Sequence, residues 1–231
     1  MSIKFYDLAG ADERLRFSPF CWRIRLALRH KGLDFETIAW RFVEKEKIAF
    51  AKSEKVPVLL DGDRVVIDSW VIAEYLETAY ADRPSLFGGP RGKATARFVT
   101  DWAECVLNAG VFPMLVADIF QVIDEGDKAY FRASREARVK TTLEACAANR
   151  DQRLPAFRQA LAPLRAMLDR QPFIAGEAPA WPDIAVFSAF QWARCCSSYE
   201  LLAADDTVQA WRERMLDAYD GEGRRALAIA S

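Results

Sequence analysis

The chain has 231 residues, 52% hydrophobic and 28% charged, with a net charge of −1 at pH 7. That is enough apolar material for one large or two small domains with real cores, and the balanced charge excludes the basic footprint of a nucleic-acid or anionic-membrane binder. No apolar run reaches the ~18 residues of a membrane span, and the first residues lack the charged-then-apolar pattern of a signal peptide, so a cytoplasmic protein is expected.

Ile3 to Leu8 reads as a short apolar strand, followed by a polar loop from Ala9 to Phe17. A helix with both ends marked comes next. Ser18 is a good N-cap, Pro19 suits the first helical position, and Phe20, Ile24, Ala27 and Leu28 line one face. Arg29, His30 and Lys31 complement the negative end of its dipole, and Gly32 suits the left-handed position beyond it. Phe35 to Ala39 is a second strand, and Arg41 to Ser53 is expected as a charged surface helix.

Val56-Pro57 opens a third strand ending at Leu60, and the Val56–Pro57 bond is expected to be cis, since only X-Pro makes cis cheap. Asp61-Gly62-Asp63 joins it to a fourth strand, Arg64 to Ile67, in a hairpin. Asp68-Ser69 then starts a helix running to Ala79, whose first turn offers free N–H groups to an anion. Strand, helix, strand, helix, strand, strand, helix over about 80 residues is the order of a thioredoxin-like domain.

The Pro- and Gly-rich stretch 82–92 reads as a linker, and strand signals nearly vanish after it. Helices are expected over Ala94–Val122, kinked or broken at Pro113, and over Lys128–Asn149, Leu154–Arg170 and Asp205–Tyr219, with a loose tail from Gly221. A further helix starts near Trp181. The reading is thus an α/β thioredoxin-like domain (1–81), a linker (82–92) and an all-α domain (93–231). The five cysteines, Cys21, Cys105, Cys146, Cys195 and Cys196, show no zinc-ligand spacing. With His30 as the single histidine, a His-dependent metal or triad site is not expected, and His30 reads as a helix-end residue.

Ser18-Pro19-Phe20 with Trp22-Arg23, Val56-Pro57-Val58, the run Asp68 to Leu76, and Asp82-Arg83-Pro84 with Leu86-Phe87 resemble the cytosolic glutathione S-transferases. Within these, they resemble most the bacterial β-aryl etherases and the etherase-related fungal transferases. The resemblance implies the glutathione transferase architecture, glutathione as co-substrate, no metal, and a homodimer. It implies that Ser18 stabilises the glutathione thiolate, Val56 pairs with the cysteinyl backbone beside cis Pro57, and Asp68 and Ser69 meet the γ-glutamyl amine and carboxylate. The residues alone also fit a plain N-cap at Ser18 and a turn with an N-cap at Asp68-Ser69. Lys45, Lys47 and Lys55 are candidates for the glycyl carboxylate. Trp102, Val106, Phe112 and Leu115 are candidates to wall an apolar pocket for an aromatic electrophile, although core packing explains them equally.

Glutaredoxins carry Cys-Pro-x-Cys where this chain has Ser18-Pro19-Phe20-Cys21, so dithiol exchange is disfavoured and Cys21 is expected to be shielded. Transferases of this fold usually carry Ser or Thr at the N-cap three residues before the aspartate of the later helix, here Asp183. This chain has Ala180, so half of the capping box is missing. A ligandin-type binder of aromatic compounds, turning over little, is the alternative reading.

Overall fold

The computed structural model describes residues 3–229. Four strands form one sheet: β1 (Ile3–Leu8), β2 (Phe35–Trp40), β3 (Val58–Asp61) and β4 (Arg64–Ile67), in the spatial order β2-β1-β3-β4. β1 and β2 are parallel with Phe5 beside Thr37, because helix α1 (Pro19–His30) carries the chain back across the sheet between them. β3 runs antiparallel to both β1 and β4, with Leu59 opposite Phe5 and Val66. In the β3–β4 turn, Asp61 stays in the strand opposite Arg64, and Gly62 takes the first central position at φ +58°. The Asp61 carboxylate is thereby free to accept the hydroxyls of Tyr75 and Tyr80 at 2.8 and 2.6 Å. That ties the hairpin to helix α2 (Ser69–Ala79).

Helix α1 carries the signals that the sequence announced. Ser18 is its N-cap, and Gly32 lies beyond it at φ +64°. It is less one-sided than an amphipathic surface helix, because it lies between the sheet and the helical domain. Arg23 and Lys31 are fully buried on it. Lys31 meets Glu77 at 2.8 Å, and Arg23 donates to Glu104 at 2.5 Å. The stretch expected as a helix from Arg41 to Ser53 narrows to a 3₁₀ helix over Lys45–Ala51, which ends at Lys52 in the left-handed region. Ile48 anchors it in the core.

The second domain is all-helical. Residues Pro90–Val122 form one continuous 33-residue helix: α3 (Pro90–Trp102), a π turn (Ala103–Asn108) and α4 (Ala109–Val122). By length and composition this helix could cross a bilayer, although no such run was expected. Its apolar residues Val111, Met114, Leu115 and Val116 are instead buried in the core. The helix does not break at Pro113. The register widens by one residue in the turn just upstream of the proline ring, where helices commonly absorb such a defect.

The two long helices expected next are each two. α5 (Glu125–Val139) stops at Lys140 in the left-handed region, and Thr142 then caps α6 (Leu143–Ala148) by accepting from Ala145 N–H. α7 (Arg150–Ala160) and α8 (Ala162–Leu168) meet at Leu161, with Pro163 opening the second. Helix α9 (Trp181–Cys196) is buried nearly all round, packed against α1, α3 and α4. The last helix, α10 (Thr207–Arg225), is interrupted at Ala218–Gly221, where Tyr219, Asp220 and Gly221 all have positive φ. This turn sends the chain back onto α1. The tail expected to be loose from Gly221 is held there, with Glu222 bonded to Arg25 and Arg29 at 3.0 Å each.

Candidate functional site

A cavity of about 340 Å³ opens between the two domains. On the sheet side it is lined by Ser18, Phe20, Trp40, Phe42 and Val56, and on the helical side by Asn108, Phe112, Phe131 and Trp192. Ser18 is 5% exposed, and its oxygen accepts the Cys21 backbone N–H at 3.3 Å, satisfying one orphan donor of the α1 N-terminus. The Ser18 side chain also lines the cavity. The bond from Val56 to Pro57 is cis, which presents Val56 at the same cavity. Cys21 lies fully buried below, and burial pushes its thiol well above the ordinary range, so it is shielded as the sequence implied.

Asp68 is the N-cap of α2. One carboxylate oxygen accepts from Trp70 N–H at 2.9 Å and Val71 N–H at 3.1 Å. Its backbone stands at φ 73°, ψ 133°, a region a non-glycine residue rarely occupies. Ser69 follows as the first helical residue and is buried. Neither residue lines the cavity itself. Arg23 on α1 bonds to Glu104 on the cavity wall at 2.5 Å. Of the lysine candidates, Lys45 and Lys55 line the cavity, whereas Lys47 is turned to Glu44 at 2.7 Å.

Of the four apolar candidates, Phe112 alone lines the cavity, stacked on Trp192 with ring centroids 6.1 Å apart. Trp102 and Val106 pack half-buried against the core, and Leu115 is fully buried within it. The cavity face of the long helix runs through Glu104, Asn108 and Phe112, four residues apart. Trp102 and Val106 sit two residues off that row, about half a turn away. Glu104 and Asn108 were passed over in the sequence because they are polar. Phe131, Arg135 and Arg138 on α5 were missed too, although their spacing at i, i+4 and i+7 marks one helix face. Among the described residues no cluster of His, Cys, Asp and Glu is arranged to hold a metal ion.

Residues 94–219 match the family model for the glutathione S-transferase C-terminal domain, and residues 17–79 match that for the N-terminal domain. The chain belongs to the glutathione S-transferase family. This family uses glutathione as its co-substrate. Glutathione S-transferase U28 of Arabidopsis thaliana is 23% identical over 207 residues, covering 87% of this chain and 81% of its own. Glutathione transferase GST 23 of Zea mays is 28% identical over 179 residues, covering 76% of this chain and 68% of its own.

Among solved structures, glutathione transferase GSTFuA3 from Phanerochaete chrysosporium superposes with a TM-score of 0.84 at 24% identity, covering 95% of this chain and 97% of that one. The glutathione S-transferase CsGST83044 of Ceriporiopsis subvermispora, solved in complex with glutathione, has a TM-score of 0.75 at 24% identity, covering 97% and 95%. These likenesses carry the fold. The thioredoxin-like half with the helical half is the architecture of the family.

Proposed function

We propose that this transferase holds the glutathione thiolate on the Ser18 hydroxyl and delivers it to hydrophobic aromatic electrophiles, β-aryl ethers next to a ketone among them. The observation that carries the reading is the position of Ser18. The Ser18 hydroxyl stands at the N-terminus of α1, on one cavity with Val56 and an aromatic wall.

The energies suffice without a general base. A free thiol with a pKa of ~8.5 is a few per cent thiolate at pH 7, and lowering it by about 2 units takes roughly 2.7 kcal/mol. A hydrogen bond to a charged group supplies about 1.5–3 kcal/mol, and a helix N-terminus about 0.3–1 kcal/mol more. In ether cleavage the thiolate forms a C–S bond at the carbon beside the ketone. The C–O bond breaks and the aryl oxygen leaves as a phenolate, tolerable because its conjugate acid has a pKa of ~10.

Asp68 and Ser69 hold the γ-glutamyl end in this reading, with Lys45 or Lys55 at the glycyl carboxylate. The unusual backbone of Asp68 supports a binding role, since such conformations gather at ligand clamps. The exposed apolar side chains Val65, Ile67, Val71 and Phe98 support a homodimer, which sedimentation of the chain checks.

The test is glutathione-dependent release of phenol from an α-keto β-aryl ether, run beside an activated aryl halide. Phenol release is expected. Conjugation of the halide without phenol release would sink the ether reaction and keep the transferase, and bound glutathione with neither product would sink both.

A further inference from the structure

The electrophile half of the cavity is not uniformly apolar. Two arginines of α5 line it. Arg138 lies over the Phe112 ring, 4.3 Å from its centre, and Phe112 is in turn stacked on Trp192. Arg135 lies over Phe131 and Phe42 at 4.9 and 5.1 Å, and it bonds the neighbouring Ser134 hydroxyl at 3.1 Å. Among the described residues, neither guanidinium has a carboxylate within ion-pair distance. Arg132, one turn earlier on the same helix and off the cavity lining, is held by both Glu136 and Glu144. The carboxylates that line the cavity are Glu54 and Glu104, and Glu104 is already taken by Arg23. Four cations, Lys45, Lys55, Arg135 and Arg138, therefore face one free carboxylate.

Asn108 is a further polar group left without a partner beside this cavity. It lies in the π turn on the cavity wall, is 8% exposed, and has no partner for either amide atom. Buried amides are rarely left unpaired, and π turns gather at functional sites.

We propose that the electrophile taken by this cavity is an aromatic carboxylic acid, its ring against Phe112 and Trp192 and its carboxylate on Arg138 and Arg135. The assignment rests on the glutathione-transfer reading and names its substrate class. A planar guanidinium matches a carboxylate with two parallel N–H bonds, and stacking on Phe112 fixes its plane beforehand. The thiolate attacks the activated ring carbon, a C–S bond forms, and the leaving group departs with the electron pair. The carboxylate is a spectator that orients the ring.

The experiment compares 4-chloro-3-nitrobenzoate with its neutral amide, each kcat/KM divided by the uncatalysed rate with glutathione. That normalisation removes the different activation of the two rings. In the wild type the normalised ratio of acid to amide is expected to exceed ten. In Arg138→Gln it is expected to fall about tenfold, with Arg138→Lys recovering most of the loss. A wild-type ratio of one or less, or a ratio unmoved by both Arg138→Gln and Arg135→Gln, overturns the proposal. So does an Arg138→Gln effect confined to KM for glutathione, which would assign the arginine to the peptide instead.

Calorimetry with the unreactive 3-nitrobenzoate keeps the two readings apart. Binding that is lost in Arg138→Gln supports the acid site even if neither halide is turned over, a result that would sink the transfer reaction alone. Absence of binding in the wild type overturns the acid site.

Discussion

The Ser18 hydroxyl oxygen accepts the backbone N–H of Cys21 at 3.3 Å, so the residue caps α1 with its oxygen while it lines the cavity. Capping and thiolate stabilisation are therefore compatible duties of one side chain, and two substitutions separate them. Ser18→Ala removes both the cap, worth about 0.5–2 kcal/mol, and the donor. Ser18→Gly removes the donor while costing the cap only a few tenths of a kcal/mol. Both variants are expected to raise the pKa of bound glutathione by about 1–2 units, following the 1.5–3 kcal/mol of a charged hydrogen bond. The ultraviolet absorbance of the thiolate against pH reads this directly. Activity near neutral pH is expected to fall roughly 10–100-fold in each and to recover as pH rises, because a raised pKa is overcome by alkali. Equal loss at every pH would remove Ser18 from thiolate stabilisation.

Asp183 is the second residue whose geometry makes a sharp expectation. Fully buried, it accepts four N–H groups: Trp211 Nε1 at 3.0 Å and the backbones of Ile174, Ala175 and Ala180 at 2.7, 3.0 and 3.2 Å. The bond to Ala180 is the surviving half of the capping box. Alanine has no acceptor to return to the Asp183 N–H, as the sequence implied. Ala180→Ser is expected to complete the box and stabilise the protein by about 0.5–2 kcal/mol, read as a Tm higher by about 2–4 °C per kcal/mol. Asp183→Ala leaves four buried donors unpaired and is expected to cost about 3 kcal/mol or more. A serine variant no more stable than the parent would mean that the N3 donor is satisfied another way.

The thioredoxin-like half was legible because its elements are punctuated by residues with local mechanisms. Ser18, Pro19 and Gly32 bound α1 within its own sequence, and Gly62 makes a turn that only the adjacent strands need specify. The helical half was legible in kind and misread at its joints, since Lys140 and Leu161 break helices without any glycine there to announce it. The same division holds in the site. Ser18 and Val56 are placed by their own strand and helix ends. Arg138 and Asn108 reach the cavity only because α5, the π turn and α9 come together, which depends on packing between distant segments. An apolar search also favoured Trp102 and Leu115 over the polar Glu104 and Asn108 that occupy the true cavity face.

Glu222 shows how far packing overrides a local signal. The tail from Gly221 is expected to be loose, yet the positive-φ run at Tyr219, Asp220 and Gly221 aims Glu222 at Arg25 and Arg29. Burial alone would raise the Glu222 carboxyl, but the two guanidinium groups outweigh it and hold the pKa below the ordinary value of 4.5. A carboxyl depressed in the folded state binds fewer protons there than in the unfolded chain. Its stabilisation is therefore complete above about pH 4.5 and is lost as pH falls through the depressed folded value.

Glu222→Gln is expected to destabilise the protein by about 1.5–3 kcal/mol at pH 7, the range for hydrogen bonds to charged groups. The difference from wild type, measured by urea unfolding at a series of pH values, is expected to hold steady down to about 4.5 and to shrink below it. A difference that persists unchanged into acid would mean that Glu222 holds the tail through shape and not through charge.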